Sequence, residues 1–440
     1  MKGIVNMDLN ERQLSPSVNA PISGYYKKGD VVSIEDMVPG DEYDGDDLWY
    51  KLSNGAYVWN GGVDVEADCT SLTDNDKEHF LLCYREVLPD GRPDMASKKA
   101  PVNLSFAPIR LPVASESIRV NTLLPGPFAQ GVIQSVKKLN NPVRNQVLIY
   151  IHGYQLLSSL KLDLLSQFVQ NYLTLPQNKI AKVLFLTWPG QGGPSRKTVD
   201  DRSIRAGQQF TTNGLLDVLK TLSDELATEG IDLNLMVHSF GHQLLNGMLN
   251  PDQAKALPRN IFKNIFLMAP DVTHLAVQQG GAFLRNYFQD KDGTDYHYEY
   301  TRLKDLAHGQ VHIFHDKYDY LLYSSTKKFV GRGNRDAIKL YRGLGNYGKC
   351  EILPPALPID FEYHDVQELV LHGVAGRLKN YPFRNIIGTS PGRRVDNVWN
   401  NGDYSGINAG RIIFNAKRFP NHHRYLITCK QVVDKVLELL

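Results

Sequence analysis

An apolar strand that runs straight into a helix, with a serine at the break, constrains this chain more than any other feature. In Leu235-Met236-Val237-His238-Ser239-Phe240-Gly241-His242 the apolar run stops abruptly at His238 and Ser239. On such a turn a serine hydroxyl is pushed out of the carboxyl end of a parallel sheet, and the next backbone N–H points to where an oxyanion would form. Gly241 supplies the second glycine of a G-x-S-x-G pattern, and Val237 stands where the first is usual. A serine between a strand and a helix also serves as a plain N-cap, so the rest of the chain has to decide between the two.

Three other segments bear on that choice. Upstream, Val147-Leu148-Ile149-Tyr150-Ile151 is a continuous apolar run, expected as a buried strand, and it ends in His152-Gly153-Tyr154, a turn that can supply a second oxyanion N–H. Downstream, Val311-His312-Ile313-Phe314-His315 is a further strand followed by Asp316 and Asp319, and much later come His422 and His423. Serine, then acid, then histidine is the chain order of α/β-hydrolases, unlike the orders in chymotrypsin or subtilisin. Between these landmarks, Leu215, Leu219, Leu222 and Leu226 recur at helical spacing. Strands are expected at Val183–Leu186, Leu233–Val237, Ile265–Met268 and Phe361–His364, with lead-in strands at Phe80–Tyr84 and Ile118–Val120. Such alternation predicts a mostly parallel sheet with helices on both faces and ligands at the carboxyl ends of the strands.

The 440 residues, 42% apolar, suffice for one large domain and a small one. A net charge of +2 gives no reason to expect nucleic acid or a polybasic membrane anchor. No run reaches the length of a membrane span, and the N-terminus lacks the pattern of a signal peptide, so a cytoplasmic location is expected. Cys69, Cys83, Cys350 and Cys429 form no C-x-x-C pair, which points to free thiols rather than a zinc or redox motif. His312 and His315 lie three apart on a strand, where alternation sends them to opposite faces, so they do not share a metal. The segment Gly190 to Thr198 resembles a phosphate loop, but Arg196 stands before Lys197 where glycine is needed. No metal and no cofactor are expected.

Composition divides the chain into a tail (1–15), a β-module (16–66), a linker (67–78) and a main domain (79–440). The module carries three lysines against ten acids; the stretch 366–424, an insertion leading into His423, carries nine Lys or Arg against three acids. That stretch reads as a solvated face, or as a basic rim that favours an anionic substrate or docks the acidic module. Within the module, Lys27-Lys28-Gly29-Asp30 precedes a strand, and Trp49-Tyr50-Lys51 with Gly55, Val58 and Trp59 follows as a hairpin. These residues resemble the bacterial SH3-like module, which implies a small all-β barrel offering a surface to a peptide or protein partner. Trp49 and Trp59 fit either the barrel core or a ligand groove.

From about Gln146 onward the chain resembles a bacterial α/β-hydrolase family of uncharacterised serine esterases or lipases. The landmarks are His152-Gly153-Tyr154, Thr187-Trp188-Pro189-Gly190, His238-Ser239-Phe240-Gly241, Ala269-Pro270-Asp271-Val272, Asp319-Tyr320-Leu321-Leu322, Gly343 to Gly348 and His423-Arg424-Tyr425-Leu426. The resemblance implies a Ser239–His423–Asp319 triad with oxyanion donors at the backbone N–H groups of Phe240 and Tyr154, acting on a small-molecule or lipid ester. Asp316 and Asp271 are the alternative acids. His422, His364, His372 and His274 are the alternative bases. The same machinery would serve a thioesterase, amidase or phospholipase, and a non-catalytic interaction protein on this scaffold is the reading from another class.

Overall fold

The computed structural model describes residues 2–5, 7–43, 46–59, 62–66, 72–97, 99–111, 117–153, 162–189, 199–251, 256–285, 295–316, 319, 322, 344–347, 361–366, 426 and 430–440. The chain divides into two compact units, Met1–Ser71 and Leu72–Leu440. Tyr154, His422, His423 and nearly all of the basic stretch 366–424 lie outside the described residues.

The described residues of the first unit form a seven-stranded antiparallel sheet: β1 (Lys2–Val5), β2 (Leu9–Arg12), β3 (Ile22–Tyr26), β4 (Val31–Tyr43), β5 (Asp46–Leu52), β6 (Tyr57–Trp59) and β7 (Val63–Glu66), in the order β3-β2-β6-β5-β4-β1-β7. Residues 1–15, expected as a tail, therefore contribute two strands. Each is only four residues long, too short for its alternation to stand out in the sequence. Strand β4 gives its first residues to β1 and the rest to β5, with register breaks after Ile34 and Pro39; such breaks bend a strand. Among the described residues β3 and β7 stand at the two ends of the strand order. Trp49 and Trp59 pair across β5 and β6 and are buried with Val5, Val32, Ile34 and Val58. The Trp49 indole donates to the Asp41 carbonyl at 2.9 Å, so both tryptophans are core residues.

Among the described residues the second unit is built on a sheet of nine strands: β8 (Glu78–Cys83), β9 (Ser105–Arg110), β10 (Asn121–Thr122), β11 (Gln146–Ile151), β12 (Ile180–Thr187), β13 (Asp232–His238), β14 (Ile265–Met268), β17 (Val311–His315) and β18 (Glu362–Asp365). The numbering leaves β15 (Ala282–Arg285) and β16 (Asp295–Tyr298) for a separate two-stranded hairpin. The sheet order is β10-β9-β8-β12-β11-β13-β14-β17-β18, antiparallel at the β8–β9–β10 end and parallel from β8 to β18. Every residue of β11 and β12 is buried, as expected where helices cover both faces of parallel strands.

Helices α1 (Pro125–Lys137), α3 (Val199–Thr212), α4 (Leu215–Ala227) and α5 (Gly241–Leu249) share one apolar core with Val147, Ile149, Leu235, Val237 and Ile265. On the other face, Phe168 of α2 (Leu162–Leu173) stacks on Tyr150 at 5.1 Å, and α2 meets the C-terminal helix Lys430–Leu439. The expected strand at Ile118–Val120 is displaced to Asn121–Thr122, which pairs with Ser105 and Phe106. The chain places β12 on one side of β11 and β13 on the other. That reversal is a topological switch point, and open α/β sheets bind their ligands outside the carboxyl ends of the strands at such a point.

Candidate active site

Ser239 sits at that switch point, one residue beyond β13, with φ +52°. A residue with a side chain in the left-handed region is uncommon and costs energy, so its surroundings must hold it there. Its N–H donates to the Met268 carbonyl at 2.9 Å, and its own carbonyl accepts the His242 N–H at 3.1 Å. The residue that caps α5 is Phe240, with no side-chain cap, so Ser239 is not an N-cap serine. Ser239 itself is only 6% exposed.

The turn fits because a glycine, Gly153, stands two residues beyond the end of the neighbouring strand β11. A Cβ on Gly153 would lie 2.9 Å from the Ser239 Cβ and 3.2 Å from the His238 carbonyl, so any larger residue would displace the serine. Val237, in the position where glycine is usual, is fully buried in the core below the turn. Behind the turn, the rings of His152, Trp188 and Phe240 stack in sequence, with centroids 5.9 Å and then 6.1 Å apart. The Trp188 indole donates to the His152 carbonyl at 3.1 Å. Buried Arg85 donates to the Thr187 hydroxyl at 3.0 Å and to the Trp188 carbonyl, holding the end of β12 in place. Helix α5 starts two residues after the serine, so its positive end faces the point where negative charge would develop.

The candidate acids gather at the same edge. Register carries His238 to Met268 and Met268 to Phe314, so Ser239, Ala269 and Asp316 follow neighbouring strand ends. The acid-bearing loop is thus two strands, about 10 Å, from the serine. Asp316 and Asp319 are both fully buried and one turn apart, the Asp319 N–H donating to the Asp316 carbonyl at 3.0 Å. The Asp319 carboxylate accepts the Leu322 N–H at 3.1 Å. The short helix Leu344–Tyr347 ties the loops together: Gly345 donates to the Pro270 carbonyl at 3.0 Å and accepts the Asp316 N–H at 2.9 Å. Asp271 lies nearest the turn in sequence space, its N–H reaching the Ser239 carbonyl at 3.4 Å. Of the alternative bases, His274 is buried in the 3-10 turn His274–Val277 and His364 lies on the edge strand β18.

One residue of the turn escaped the sequence reading. His242 is fully buried, and its Nδ1 lies 2.7 Å from the Ser239 carbonyl. Burial pushes its pKa down to about 3, so it is neutral at pH 7 and donates Nδ1–H to the carbonyl of the left-handed serine. The Tyr300 hydroxyl in turn donates to the His242 carbonyl at 3.0 Å. Its position three residues after the serine was the only available signal.

Residues 130–335 match the family described as "Alpha/beta hydrolase of unknown function (DUF900)". No curated protein matches the chain. The family match supports hydrolase chemistry and names no substrate. Among the described residues no helix is long and apolar enough to cross a membrane.

Proposed function

We propose that this chain is a serine esterase with Ser239 as nucleophile, His423 as general base and acid, and Asp319 as the group that orients His423. The observation that carries the reading is Ser239 at φ +52° at the topological switch point, with α5 starting behind it. In acylation, Oγ of Ser239 bonds to the ester carbonyl carbon while His423 takes its proton. The tetrahedral oxyanion is held by the N–H groups of Phe240 and Tyr154, each worth about 3–4 kcal/mol in comparable sites. The carbon–oxygen bond to the alcohol then breaks, His423 protonates the leaving oxygen, and water attacks the acyl-enzyme by the same steps in reverse. His242 fits a structural place in this scheme, since burial keeps it neutral against the Ser239 carbonyl.

Fluorophosphonate labelling, followed by a panel of esters from acetate to long acyl chains, tests the assignment. Wild type is expected to label covalently and Ser239→Ala to lose both label and hydrolysis. Asp319→Asn and His423→Ala are each expected to lower kcat about 10³-fold or more, and Asp316→Asn and His422→Ala about tenfold or less. Full labelling of Ser239→Ala would refute the nucleophile. A larger loss in Asp316→Asn than in Asp319→Asn would move the acid.

A further inference from the structure

Two imidazoles and a carboxylate converge at the far edge of the large sheet, and none of the three takes part in a step of the proposed chemistry. His312 on β17 stands directly across from Glu362 on β18, and His364 lies two residues further along β18 on the same face. His312 Nδ1 is 3.0 Å from Glu362 Oε2 and 3.2 Å from His364 Nε2, and His364 Nε2 is 3.8 Å from the same carboxylate oxygen. These atoms form the one group of three or more potential metal ligands found among the described residues.

The three distances have a specific meaning. A tetrahedral zinc ion with bonds of about 2.0–2.1 Å to nitrogen and oxygen requires its ligand atoms to be about 3.3–3.4 Å apart. Separations of 3.0, 3.2 and 3.8 Å lie on both sides of that edge length, so small side-chain rotations would complete three corners. We propose that His312, Glu362 and His364 form a zinc-class metal site, with a fourth position open to water. Two imidazole nitrogens favour a borderline-soft ion such as zinc over magnesium or calcium, which take oxygen ligands.

The surroundings suit this role. The His312 ring stacks on Phe266 at 5.1 Å, and the His364 ring packs on Phe314 at 4.5 Å, so both rings are held from below by apolar side chains. Glu362 is half exposed, which leaves a path for the ion. Burial lowers the pKa of both imidazoles. The cation nearest in influence, Lys435 on the C-terminal helix, is paired with Glu438 at 3.2 Å; His315 and Asp365 are the other titratable groups nearby. The site is also remote from the serine. His312 aligns with Phe266 and Met236, three residues before Ser239 along the strand direction and two strands across, about 10 Å in each direction. Such a site would pin the edge strand β18 to β17.

The test uses the full untagged chain, stripped with a chelator and titrated with zinc ion alone by calorimetry, with melting followed in parallel. One equivalent of zinc and a rise in Tm are expected for wild type. His364→Ala is expected to lose the binding, and Glu362→Gln, on the half-exposed carboxylate, to weaken it at least about tenfold. Cobalt(II) should give the visible absorption of a tetrahedral site in wild type and not in His364→Ala. Circular dichroism of metal-free Glu362→Gln identical to wild type guards against misfolding. No zinc uptake by wild type, or uptake unchanged in both variants, would overturn the proposal and leave an ordinary hydrogen-bonded cluster.

Discussion

At the scale of a single residue, Ser239 is caught between conformation and chemistry. Its left-handed backbone is costly for any residue with a Cβ, and glycine removes that cost. Ser239→Gly is therefore expected to abolish hydrolysis and to raise stability by about 1 kcal/mol, whereas Ser239→Ala should abolish hydrolysis at unchanged stability. Urea denaturation of the two variants beside wild type checks this, and equal stabilities for Gly and Ala would mean that the turn stores no strain. The serine itself was legible in the sequence because a strand-to-helix break is a local pattern. Its burial was not, because that depends on segments far away in the chain.

At the scale of elements, the turn rests on a contact between α3 and α5 with almost no side chain between them. A Cβ on Gly247 of α5 would lie 1.9 Å from the Ile204 carbonyl of α3, and one on Gly207 of α3 would lie 2.0 Å from the Leu244 carbonyl of α5. The two glycines face each other reciprocally, and the Thr211 hydroxyl closes the contact by donating to the Met248 carbonyl at 2.7 Å. Gly247→Ala must push the helices apart, so a loss of about 1–3 kcal/mol is expected, with a fall in kcat because α5 begins beside the proposed nucleophile. Chemical denaturation and ester kinetics on the same variant check both effects, and a neutral result would show that the helices slide without cost. Helix α4 was readable from its leucine spacing. The α3–α5 contact was not, since a glycine inside a helix announces neither its partner nor its closeness.

At the scale of the whole molecule, buried histidines couple stability to pH. His79 and His242 are both buried, and burial is the main cause holding each at about 3. Unfolding returns each to about 6.5, so between these values the unfolded chain binds more protons than the folded one. The stability that rests on their neutral form is complete above about pH 6.5. It falls as pH drops toward 3, by up to about 1.4 kcal/mol per pH unit for each histidine. His79 Nδ1 accepts the Val183 N–H at 3.2 Å, a role that a glutamine oxygen can take. His79→Gln should thus flatten the decline in urea midpoint between pH 7 and pH 5, and an unchanged slope would remove His79 from the account.

What the sequence determined by itself was local. Apolar-rich runs marked β11, β12, β13 and β17, helical leucine spacing marked α4, and the break at Ser239 marked the candidate nucleophile, because each signal lies within a dozen consecutive residues. Tertiary structure decided what depends on distant segments meeting. Strand order placed Ser239 at the switch between β11 and β13, and close packing made Gly153 obligatory beside it. Asp316 and Asp319 came to the serine's edge through the register of three parallel strands. The same principle separates His312 from His315 and joins it instead to Glu362 and His364. Alternation along one strand excludes the first pair, and only the pairing of β17 with a strand some fifty residues later creates the second cluster.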